Sequence, residues 1–179
     1  AIMTTLGTLE SILISLFFGL AVACSTLLGH RLGAEEYEEA WQHSQLFLLL
    51  APIGALLVGI AVWLLQTNLL QWVGNLPGEL MGEAGQVLAI MCLGMLLKVF
   101  NMVGIVGVLR SGGDVNYSIF IDIVGMWCIG LPLAWVAVSL LGWPLSWVVA
   151  VVLLEELCKV LLVQRRIRQR HWLKNLVMG

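Results

Sequence analysis

The stretch Ala84–Leu109, AGQVLAIMCLGMLLKVFNMVGIVGVL, decides the fold: it is long enough to cross a bilayer and carries a single charge, Lys98. A spanning helix needs ~20 mainly apolar residues at a rise of ~1.5 Å each. Met3–Leu28, Gln45–Leu65, Ser118–Leu141 and Leu145–Val163 meet the same condition. The chain of 179 residues is 60% hydrophobic and 11% charged, more apolar surface than a soluble domain of that size can hide. The expected fold class is therefore all-α, a polytopic transmembrane bundle of five spans within residues 1–163, followed by a basic tail at 164–179.

Lysine and arginine set the expected orientation. Arg31 and Arg110 open the first and third connectors, and the tail carries Arg165, Arg166, Arg168, Arg170 and Lys174. Connectors rich in these residues stay in the cytoplasm. Five alternating spans then place the C-terminus inside and the N-terminus outside. The opening Ala1-Ile2-Met3-Thr4 shows no basic leader. The odd span count predicts a helix upstream, so the chain reads as a fragment or a processed piece. Trp72, Trp143 and Trp147 at one boundary, with Trp41 and Trp172 at the other, read as aromatic belts.

Charges at bilayer depth are costly and usually face a partner, a cavity or a transport path. Lys98, Asp122, Glu155, Glu156 and Lys159 sit at such depths, and Glu10 lies in the first span. Steps of three and four place Gly94, Lys98, Asn101, Gly104 and Val108 on one stripe, and Ser118, Asp122, Gly125, Cys128 and Pro132 on another. Stripes of small and polar residues should face the bundle interior. Glu10 points away from the Thr4, Thr8, Ser11, Ser15 stripe, towards a different neighbour. Counting helical rise puts Lys98 ~18 Å from the Arg110 end and Glu155 and Glu156 ~12–14 Å from Gln164. The depth match pairs Lys98 with Glu155 or Glu156, and Asp122 with Lys159. A local alternative pairs Glu155 or Glu156 with Lys159 on their own helix. The network either fixes helix register or takes part directly in transport.

The connectors are turn signals. Gly29 and Gly33 can end the first helix, and Glu35–Glu39 then opens the next near its positive dipole end as a solvated run. After Arg110, Gly112 and Gly113 suit a left-handed cap, Asp114 or Asn116 can cap the next helix, and Arg110 can bind Asp114. Pro132 should kink its helix. Cys24, Cys92, Cys128 and Cys158 lie in apolar stretches and read as small buried hydrophobes rather than metal ligands. His30, His43 and His171 sit near boundaries in solvated or capping positions. The absence of any nucleophile–base constellation, H-E-x-x-H or dinucleotide fingerprint argues against an enzyme, and nothing suggests nucleic-acid binding.

Three ordered blocks carry a family resemblance. They are Ala21–Ala34 with its Gly29…Leu32-Gly33-Ala34 turn, Gly107-Val108-Leu109-Arg110-Ser111-Gly112-Gly113-Asp114, and Trp127 through Pro132-Leu133. Together they resemble the MATE family of multidrug and toxic-compound efflux transporters. That resemblance implies two six-helix lobes, with this chain supplying the last five helices of the C-terminal lobe and the N-terminal lobe as its missing partner. It implies a bacterial inner-membrane antiporter exporting small cationic, amphipathic compounds in exchange for Na⁺ or H⁺, with no cofactor beyond that coupling ion. A glutamate that several members carry aligns with Val99, beside Lys98. Glu10, and then Asp122 and Asn101, remain the candidates for substrate or ion contact. The alternatives are a lipid-linked oligosaccharide flippase of the same superfamily and a small structural membrane subunit.

Overall fold

The computed structural model describes residues 2–74 and 78–175. The apolar runs close their backbone hydrogen bonds within themselves, the only economical arrangement in hydrocarbon apart from a closed barrel. They form α1 (Ile2–Gly33), α2 (Tyr37–Leu64), α3 (Gln66–Gly74) and α4 (Gly78–Met102), which continues as a π-helix through Val103–Leu109. The next rod starts as α5 (Val115–Val124) and widens into π-helix at Gly125–Gly130. It tightens again in α6 (Leu131–Trp135) and widens once more at Val136–Leu140. Last comes α7 (Leu145–Arg168).

Among the described residues four helices, not five, are long and apolar enough to span: Leu6–Gly33, Tyr37–Leu64, Met81–Leu109 and Val115–Leu140. α7 has the length, at 24 residues, but every stretch of it long enough to cross contains Glu155, Glu156 and Lys159. The second connector also differs from expectation. Its Gln66–Gly74 part is helical and tucks Leu70 into a cluster with Leu6, Val87 and Leu88. The Trp72 side chain and the tail beyond residue 175 lie outside the described residues.

α4 is the hub. Half of its most apolar window is buried, against 22% for α1 and α2 and 17% for Val115–Leu140. The main core joins Ala21, Cys24 and Leu28 of α1 to Ala51 and Ala55 of α2, Val99 and Val103 around the end of α4, and Val163 and Ile167 of α7. Small residues set the spacing, as membrane helices require where lipid is as apolar as their side chains. A Cβ on Gly107 would come 3.0 Å from Cys24 Sγ, and one on Gly59 3.1 Å from the Cys92 carbonyl.

The stripe expected on α4 is interior, with Gly94, Asn101, Gly104 and Val108 buried and Lys98 half-buried. On the next rod the expected stripe buries Ser118, leaves Asp122 half-exposed, and is last buried at Gly125. Beyond it Cys128 and Pro132 are exposed and Gly130 and Ala137 are buried. The π turns cause this, because a turn closed five residues apart brings Gly130, not Cys128, onto the face of Gly125. Pro132 sits between two such stretches, where its missing N–H is accommodated by widened turns.

Candidate functional site

The helix ends converge at one basic end of the bundle. α1 runs to Gly33, and the left-handed residue after it is Glu35, with φ 62°, rather than either glycine. Arg31 reaches back over the turn to Glu36 at 2.5 Å and Glu39 at 2.6 Å, so the acidic run is partly neutralised. Glu38 receives Arg170 at 2.7 Å, and that guanidinium lies 4.5 Å over the Trp41 ring. After the π-helical end of α4, Gly113 adopts φ 77°, as the left-handed cap requires.

Asp114 stands at the N-cap position of α5 but caps nothing with its side chain. Its carboxylate is gripped by Arg166 of α7, through Nε at 2.6 Å and a second guanidinium nitrogen at 3.1 Å. The Arg166 guanidinium also lies 4.5 Å over Tyr117. The hydrogen bond to Asp114 holds its pKa above the ordinary arginine value. Arg110 instead faces Asp122 across 3.6 Å, a long pair with both side chains more than two-fifths exposed. The expected Arg110–Asp114 and Asp122–Lys159 pairs are therefore both replaced. Arg166 holds Asp114 because α7 lays its guanidinium on the carboxylate with two hydrogen bonds, whereas Arg110 lies towards Asp122.

Trp172 is fully buried rather than part of an interfacial belt. Its indole N–H donates to the Ile167 carbonyl at 3.3 Å, and its backbone lies flat against Gly112. Nothing in the sequence separates Arg166 from its basic neighbours or marks Trp172 as an anchor, since both roles arise only when α7 meets the α4–α5 turn.

Deeper in the bundle lie the other charged and polar candidates. Lys98 of α4 donates to Glu10 of α1, not to Glu155 or Glu156. The reason is reach, because the long lysine stem carries its ammonium away from its own backbone level and onto the neighbouring helix. Around the pair, Leu6, Leu9 and Leu13 of α1 and Leu88, Met91 and Met95 of α4 leave a crevice of about 10 Å³. That is marginal even for one water. The pair is closed on its bundle side, with side-chain exposures of 29% for Lys98 and 19% for Glu10.

Glu155 takes Lys159 at 2.5 Å along α7, the local alternative. Gly125 and Gly130 make room for this pair, since a methyl group on either would run into the side chains of Lys159 and Glu155 respectively. Glu156 turns to Asn101, whose amide donates to the Glu156 carbonyl at 2.9 Å and to its Oε2 at 2.8 Å. Asn101 thereby bridges α4 and α7, while its own Oδ1 is buried without a hydrogen-bond partner. Asn101→Ala should lower bundle stability by about 1–2 kcal/mol, the scale of an interhelical polar contact in a membrane. The shift of the unfolding midpoint in mixed detergent micelles measures it, and an unchanged midpoint would remove the bridge from the account.

The candidate residues thus fall into three places. Glu10 joins Lys98, Asn101 joins Glu156, and Asp122 sits apart at the basic end with Arg110. Gly112 and Asp114 join the α7 clasp, whereas Gly29 lies within α1, exposed and with open space beside it. Cys24 and Cys92 are buried as expected, but Cys128 is exposed. Among the described residues no group of three or more His, Cys, Asp or Glu side chains could hold a metal ion.

Comparison with known proteins places this architecture. The MatE family model matches residues 1–136. Over 177 residues the chain is 25% identical to the "Uncharacterized transporter YisQ" of Bacillus subtilis (strain 168), covering 98% of this chain and 38% of that protein. The chain therefore spans less than half the length of this relative. No solved structure matches it. With the family match covering the four membrane-length helices almost to their end, the chain belongs to the MatE family.

Proposed function

We propose that this chain forms a helical lobe of a secondary transporter that exports cationic, amphipathic organic compounds in exchange for Na⁺ or H⁺. It would work against a second lobe in the bacterial inner membrane, with the basic end in the cytoplasm. One observation carries the reading: the carboxylate of Glu10 is held by a lysine from another helix, inside an apolar wall. Such a pair is stable but replaceable. A cationic solute or a proton competes with Lys98 for the same carboxylate, and winning it releases α1 from α4. Ligand binding is then tied to helix separation, the differential interaction that a conformational switch needs. The crevice is too small to admit an organic cation, so access requires the helices to part.

The likeness to a protein described as a transporter supports this reading, and the exposed apolar faces of α1, α2 and the Val115–Leu140 rod suit lipid or a partner lobe. The flippase alternative calls for a basic cavity. Lys98 and Lys159 are each neutralised by a glutamate, which weighs against it.

The test is drug efflux by the full-length gene product in cells lacking their own pumps. Glu10→Gln should cut export of a cationic dye such as ethidium at least tenfold when export is normalised to membrane abundance. Collapse of the coupling gradient, whether Na⁺ or proton, should stop export by the unsubstituted protein, and export surviving loss of both would overturn the antiport reading. Dye resistance unaltered by Glu10→Gln would remove Glu10 from the site.

A further inference from the structure

The basic end contains a second, unrelated feature. Arg31, Arg110, Arg166 and Arg170 each face a carboxylate. Arg168 has no acidic partner among the described residues, although it is exposed at the end of α7. It stands at the mouth of a groove of about 190 Å³ between α2, α4 and α7. Gln45 and Gln164 share that mouth, while Leu48, Leu49 and Phe100 form apolar walls. The carboxylates on the first turn of α2 do not compete for Arg168, because Glu38 is held by Arg170 and Glu39 by Arg31.

The vertical order of these groups is informative. Arg168 and Gln164 occupy the last turns of α7. Leu49 lies ~18 Å along α2 from Tyr37, and Phe100 lies ~14 Å before the end of its helix at Leu109. A cation and two amides therefore cap an apolar channel that deepens towards the hydrocarbon. An anionic phospholipid has the matching order, with a phosphate above and acyl chains below. Basic pockets between helices at the cytoplasmic boundary are places where such headgroups settle.

We propose that this groove is a binding site for one anionic phospholipid of the surrounding bilayer. Its phosphate meets Arg168, Gln45 and Gln164 donate to the headgroup region, and one acyl chain lies along Leu48, Leu49 and Phe100. The site is separate from the Glu10–Lys98 pair and stands whether or not that pair carries substrate.

Native mass spectrometry of the full-length protein, released from nanodiscs of equal phosphatidylglycerol and phosphatidylethanolamine, tests it. The expected result is one retained phosphatidylglycerol in preference to phosphatidylethanolamine. Arg168→Ala should weaken retention about fivefold, the effect of one basic residue at an anionic surface. Arg165→Ala, which removes a neighbouring charge outside the groove, should leave it within about twofold. Leu49→Trp, at a position 60% exposed and so tolerant of bulk, should block the acyl channel and lower retention with every charge in place. Equal retention of both lipids, an equal loss in Arg165→Ala, or full retention in Leu49→Trp would each overturn the proposal.

Discussion

Lys98→Met is expected to lower the stability of the bundle by about 2–4 kcal/mol, with Glu10→Gln close behind and the double variant recovering most of the loss. Removing one member of a buried ion pair strands the other, which costs ~3–5 kcal/mol when no water reaches it. Lys98 and Glu10 retain 29% and 19% side-chain exposure, so the lower part of that range applies. Replacing both by neutral side chains of similar volume leaves nothing stranded, because the surrounding leucines and methionines already form an apolar wall. Unfolding midpoints of the four proteins in mixed micelles provide the cycle. Additive losses would mean that the two groups do not interact. The same variants separate stability from transport: Glu10→Gln/Lys98→Met should be well folded and inactive in dye efflux, whereas a purely structural pair would leave efflux in the double variant intact.

Gly112→Ala should be nearly as damaging, at about 3 kcal/mol, though it adds only one methyl group. The added carbon would overlap the carbonyl oxygen, carbonyl carbon and Cα of Trp172. These are backbone atoms, so no rotamer change relieves the clash, and the segment must lift away. Trp172→Ala leaves those backbone atoms in place but empties the buried site of the indole, and should cost about 3–5 kcal/mol, as deletion of a fully buried tryptophan does. Because both changes loosen one docked segment, Gly112→Ala/Trp172→Ala should cost less than the sum of the two single variants. Trypsin provides the readout: cleavage after Arg170 should be slow in the unsubstituted protein and rapid in either single variant. Slow cleavage in Gly112→Ala would mean that the close approach is not needed.

The membrane class, the interior stripe on α4 and the left-handed Gly113 follow from composition, helical periodicity and turn chemistry, all of which are local. The ion pairs do not. Lys98 was matched by backbone depth to Glu155 and Glu156, but a lysine ammonium lies several bonds from its Cα and can serve a carboxylate at another level. Asp114 had Arg110 as its nearest cation in sequence, yet Arg166 reaches its carboxylate from α7 with two hydrogen bonds. Which arginine wins depends on how two helices cross, and a single sequence carries no such information. α3 went unseen because Thr67, Asn68 and Gln71 break the hydrophobic run while still allowing a helix. The fifth span fell short for the opposite reason, since its length is adequate but its charges turn inward to Asn101 and to each other.

The π-helical turn at Gly125–Gly130 makes residue count there more forgiving than residue identity. Such a turn holds one residue more than an α turn, so loss of any single residue there would let the backbone close with ordinary hydrogen bonds and no exposed polar groups. Gly130 would then stand four residues from Gly125, still on the same face, so the helix from Leu131 onward would keep its facing. Gly130 would stay against Glu155, Ala137 would stay buried and Trp135 exposed. Within this turn a one-residue deletion is therefore a milder edit than a bulky substitution at Gly125 or Gly130, and an alignment gap falling there signals a closed turn rather than a different helix face.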